Sequence, residues 1–64
     1  MKRYAIRTTN DYLNDYEYFS VECNDIVFGS KRYAYVFKKR HAKKVLKMLR
    51  ALYPNDEFEI VKIL

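Results

Sequence analysis

Over residues 3–9 the side chains alternate with the period of a β-strand, Tyr4, Ile6 and Thr8 on one side and Arg7 on the other. Thr9-Asn10-Asp11 ends that strand, and residues 12–15 are expected as a loop or a single helical turn. Alternation resumes over residues 16–22, with Tyr16 and Tyr18 on one face and Phe19 and Val21 on the other. Asn24-Asp25 signals a turn. Ile26-Val27-Phe28 and Tyr33-Ala34-Tyr35-Val36-Phe37 then flank a loop holding Gly29, the one glycine. The pattern predicts a hairpin there with Gly29 at φ > 0, or an edge segment over residues 26–28 that never fully pairs.

The period then changes. Ala42, Val45, Leu46, Leu49, Leu52 and Tyr53 recur at helical spacing and form one apolar stripe. At 100° per residue, Lys39, Arg40, Lys43, Lys44, Lys47 and Arg50 fall on the opposite arc. Pro54 stops this helix, with Asn55-Asp56 as the turn. Residues 57–64 read as a last strand, Phe58 and Ile60 facing one way and Val61 and Ile63 the other. Apolar residues on both faces predict a central position for it. One stripe and one sheet face bury each other most economically as an α+β domain: an antiparallel sheet of three to five strands with one amphipathic helix packed on one face, in the order β-β-(β)-β-α-β.

Size and composition sharpen this reading. Sixty-four residues allow a single domain, residues 1–64, of marginal stability, for which a homodimer is one remedy. Half the residues are apolar and the aromatics comprise seven Tyr and four Phe, too many for a disordered segment. One cysteine permits no internal disulfide, which favours a reducing cytoplasm. No apolar run reaches the roughly 20 residues of a membrane span, and Arg7 interrupts the start before a signal-peptide core can form. The expectation is a cytoplasmic protein with no membrane partner.

Charge is sorted along the chain. Between Lys31 and Arg50 lie nine basic residues and no acidic one, whereas residues 10–30 carry Asp11, Asp15, Glu17, Glu22 and Asp25 with no Lys or Arg. Such segregation makes a surface field suited to an anionic partner. Lys38, Lys39 and Arg40 stand at the helix start, where the macrodipole disfavours cations by roughly 0.3–1 kcal/mol each and where no Ser, Thr, Asp or Asn is present to cap. An anion on Lys39, Arg40, Lys43, Lys47 and Arg50, with Lys31 and Arg32 added from the loop, offsets that cost. Tyr16, Tyr18, Tyr33 and Tyr35 are the candidate aromatic contacts, for bases or for a protein surface. The plainer readings are a solvated basic face, partly neutralised by strand carboxylates, and tyrosines packed on each other.

Catalytic chemistry is thin. His41 and Cys23 are single residues of their kind, so no His/Cys zinc set exists in one chain, and nothing in their spacing argues for a nucleophilic dyad. Cys23 is expected as a small core or edge residue, His41 on the helix surface, and the Glu57/Glu59 pair at an exposed strand edge. A single glycine excludes a phosphate-cradling loop. No enzyme and no cofactor is expected.

Tyr4-Ala5-Ile6, the run from Tyr33 through Phe37 into Ala42-Lys43-Lys44-Val45-Leu46, and Glu59-Ile60-Val61-Lys62-Ile63 together resemble small orphan proteins of phages and prophages with a strands–helix–strand layout. That resemblance implies binding to a host enzyme or defence complex, as anti-CRISPR proteins do. Residues 22–49 alone, through Phe37-Lys38-Lys39-Arg40-His41-Ala42-Lys43-Lys44, look similar to the arm-type DNA-binding domain of tyrosine recombinases, in which a three-stranded sheet backed by a helix enters DNA. That family has Thr after the Phe and Glu before the Ala, where Lys38 and His41 stand here, and no binding residue is carried over. The functional expectation is a small phage-type binding protein that contacts nucleic acid, or a nucleic-acid-handling host protein, through the basic helix face. The alternative is a protein inhibitor using the Tyr-rich strands or the acidic segment.

Overall fold

A computed structural model describes residues 2–10 and 15–63. Strands β1 (Tyr4–Asn10), β2 (Asp15–Glu22) and β3 (Asp25–Gly29) precede a 3-10 turn (Lys31–Tyr33), helix α1 (Lys39–Leu52) and strand β4 (Phe58–Lys62). The four strands form one antiparallel sheet in the order β3-β2-β1-β4, and α1 packs across β4 and β1. The α+β class is therefore present. The expected loop or turn before Asp15 lies outside the described residues, apart from Asp15 itself, which opens β2.

Strand alternation separates the two sheet faces as the side-chain period requires. Ile6, Phe19 and Phe58 point toward the helix and form the buried core with Phe37, Ala42 and Leu49. Tyr4, Ile26, Phe28, Val45, Leu46 and Ile60 pack around it. Rings close the end that α1 leaves open: Phe28 and Phe58 lie 6.0 Å apart, and Tyr53 lies 5.8 Å and 6.2 Å from them. Tyr53 also caps the helix end, its N–H donating to the Leu49 carbonyl at 2.8 Å before Pro54 halts the helix. Leu52, assigned to the apolar stripe by spacing, is instead 55% exposed, because it sits on the flank of α1 away from β4 and β1.

Three local expectations are corrected. The hairpin turn is Cys23-Asn24, with φ of 52° and 64°, joining the paired Glu22 and Asp25. Both values lie in the left-handed region that a two-residue type I′ turn demands. Gly29 has no positive φ and ends β3 opposite Tyr18. Because that turn returns the chain at once, β3 takes the outer side of β2 as a fully paired edge strand. The aromatic run of residues 33–37 is thus left without a strand to pair with. Beyond Arg7 and Tyr18, the last pair on that side, β1 and β2 part, and the run enters the gap. The Tyr35 N–H donates to the Phe19 carbonyl at 3.0 Å, and Tyr4 and Phe37 exchange bonds of 2.9 Å and 2.8 Å. A single bridge, Tyr4↔Phe37, is all the strand character that remains. Finally, β4 is an edge strand rather than a central one. Its two apolar faces arise because Phe58 and Ile60 meet the helix side while Val61 lies beside Ala5 on the other face.

Candidate functional site: the basic helix face

With Ala42 and Leu49 buried against the sheet, the 100° step of α1 carries the cations outward. Lys39, Arg40, Lys43, Lys44, Lys47 and Arg50 are all exposed. Among the described residues none of them makes an ion pair, and only Lys39 has an aromatic partner, its Nζ lying 5.9 Å from the centre of the Tyr4 ring. Lys38 occupies the N-cap position, with no side-chain capping bond and no acidic residue in the first turn. The first-turn N–H groups are therefore left without a side-chain acceptor, next in sequence to the cations Lys38, Lys39 and Arg40. Beside them a groove of about 540 Å³ is lined by Lys38, Arg40, His41 and Lys44. His41 sits edge-on to the Phe37 ring at 5.4 Å, on the helix surface.

Lys31 and Arg32 are exposed in the 3-10 turn, on a different element from the helix arc. The candidate tyrosines divide. Tyr33 is 68% exposed, whereas Tyr35 stacks on Phe37 at 4.8 Å and touches Phe19 at 6.4 Å. Tyr16 and Tyr18 alternate to the other side of the sheet. Tyr18 is buried there, while Tyr16 lines a groove of about 630 Å³ with Arg7, Asp56, Glu57, Glu59 and one helix cation, Arg50.

That open face holds the cluster which reading by residue type missed. Register places Arg7 between Tyr18 on β2 and Glu59 on β4. Its guanidinium donates to the Glu59 carboxylate, and its Cζ lies 3.8 Å over the Tyr16 ring. Hydrogen bonding to Tyr18, then to Glu59, raises the Arg7 pKa above its ordinary value, against an opposing effect of burial. The Thr8 hydroxyl donates to the Glu57 carbonyl at 2.7 Å, tying β1 to the start of β4. The one signal in the chain was Arg7, Tyr16 and Tyr18 each falling on the non-core side of its strand; Glu59 is 52 positions from Arg7 and only the register joins them.

Cys23, expected in the core or at an edge, is exposed at the hairpin tip, where the turn geometry points it to solvent. Among the described residues no three His, Cys, Asp or Glu side chains are grouped to hold a metal ion, and no helix is long and apolar enough to cross a membrane. No protein family, curated protein or solved structure matches the chain.

Proposed function

We propose that this chain is a small non-enzymatic binding protein that grips nucleic acid by its phosphates through the outer arc of α1. The observation that carries the reading is the exposed row of cations from Lys39 to Arg50 with no carboxylate partner among the described residues. The eleven steps of helix from Lys39 to Arg50, at about 1.5 Å each, span about 16 Å, the axial rise of about five nucleotides of one strand. An uncapped, cation-bearing helix start is unfavourable by itself and favourable against an anion. Phosphate contact of this kind is insensitive to sequence. The reading places the protein in the cytoplasm. A phage-type origin rests on the strands–helix–strand resemblance alone.

The charge reversal Lys43→Glu/Lys47→Glu tests it, measured as binding to short duplexes and single strands at fixed salt. A folded double variant with unchanged affinity contradicts the proposal.

The open face supports a second reading as a protein-blocking surface, because Tyr16 is 44% exposed and is stacked by Arg7. Tyr and Arg are the residues over-represented in interface hot spots. A stoichiometric partner retained from host lysate after nuclease treatment, and lost on Tyr16→Ala, separates this reading from the first.

A further inference from the structure

The two edges of the sheet are unlike. The β4 edge carries Glu59 on one face and Lys62 on the other, charges that discourage pairing with another strand. Over residues 26–29, β3 carries none. Its backbone direction follows from the bonds already described. The Phe19 carbonyl accepts from Tyr35 on the β1 side, so Tyr18, Ser20 and Glu22 bond toward β3. Their partners Gly29, Val27 and Asp25 are thereby satisfied, and the N–H and C=O groups of Ile26 and Phe28 point outward. Among the described residues no backbone group bonds to them. On the helix side α1 covers β4 and β1, leaving Val21 45% exposed and Ile26 half-buried next to this edge.

We propose that β3 is an association edge and that its occupant is a second copy of the chain, paired antiparallel about a two-fold axis through Val27. In this register Ile26 faces Phe28 of the second copy and Phe28 faces its Ile26, so each outward N–H meets an outward C=O. Val27 faces its own equivalent, and Asp25 faces a glycine, so no like charges oppose. The apolar row Val21–Ile26 continues into Phe28 and Phe19 of the second copy, which are cross-strand neighbours there as here. Such a contact is self-complementary, as a two-fold interface requires. With the axis normal to the sheet, both helices stand on one side of an eight-stranded sheet and both basic arcs stay exposed. An unrelated extended segment would satisfy the same backbone groups but has no reason to carry the matching apolar row.

The test is sedimentation equilibrium of the wild-type chain without nucleic acid, so its outcome is independent of the phosphate reading. The expected mass rises with concentration from 7.8 kDa to twice that value. Val27 lies outside the core cluster, so Val27→Lys and Val27→Glu leave the core intact. Each should stay monomeric by like-charge opposition, and their equimolar mixture should regain the doubled mass. Amide hydrogen exchange of the wild type supplies a reading that needs no variant. Protection of the Ile26 and Phe28 N–H groups should grow with concentration, while that of Val27 should not change. A wild-type chain monomeric up to about 1 mM, dimers retained by both folded variants, a folded mixture that stays monomeric, or exchange at Ile26 and Phe28 independent of concentration in a dimer overturns the proposal.

Discussion

The outer arc of α1 and the open face of the sheet both display arginine, yet they treat it in opposite ways. Arg7 on the sheet has partners of its own: Glu59 accepts from it, Tyr16 lies 3.8 Å beneath it and Tyr18 stands opposite it in the β1–β2 register. Arg40 on the helix stands in solvent among lysines, and Arg50 lines a groove with Asp56, Glu57 and Glu59 while making no ion pair among the described residues. A charge matched by its own fold contributes to stability and offers little to a ligand. An unmatched row does the reverse, raising the energy of the isolated protein and lowering that of a complex with an anion. The sheet face therefore holds an arginine matched by its own fold, and the helix face is the one we propose for binding.

The sharpest way to break this contrast is the double reversal of Lys43 and Lys47. Each phosphate contact contributes about 0.9 decades in affinity per decade of salt, so at ~0.1 M the loss should be on the order of 100-fold. Thermal stability should hold, because neither side chain has a partner among the described residues to lose. Arg7→Ala should behave inversely. Removing one partly exposed ion pair and one cation–π contact should cost about 1–2 kcal/mol of stability, or several degrees in Tm, with nucleic-acid affinity changed less than about two-fold. Thermal melts and anisotropy titrations of the two variants, side by side, check both halves. Lys38→Ser sharpens the contrast within a single residue. A capping hydroxyl at this position should add about 1 kcal/mol of stability, while loss of one cation should weaken binding several-fold. The smallest effect is expected at Gly29→Ala. A Cβ there meets nothing within 4 Å and φ is not positive, so stability should change by less than about 0.5 kcal/mol.

Much of this was legible along the chain, and what was not has definite causes. The period-2 pattern correctly separated Tyr4, Ile6, Phe19 and Phe58 from Arg7, Tyr16 and Tyr18, because burial on one face imposes it. The 3.6-residue period likewise set the cations of α1 opposite Ala42 and Leu49. Pairing order was hidden. The run from Tyr33 to Phe37 has strand-forming residues, but Cys23-Asn24 turns the chain two residues after Val21 and gives the place beside β2 to β3. The turn signal at Asn24-Asp25 fell one residue late, and glycine drew the hairpin and the positive φ to position 29, whereas Asn24 with Cys23 before it adopts the left-handed conformation with a side chain present. The Arg7 cluster was hidden for a different reason. Its members come from three strands, and pattern alone carries no register.

The central claim, that the helix arc is a phosphate-binding surface, is tested most directly by a salt series of anisotropy titrations with short single- and double-stranded DNA and RNA. Engagement of Lys39, Arg40, Lys43, Lys47 and Arg50 predicts log affinity for duplex DNA falling with log salt at a slope of about −4 to −5, reduced by about 2 in the Lys43→Glu/Lys47→Glu chain. No binding at low salt, or a slope that the double variant leaves unchanged, would contradict it.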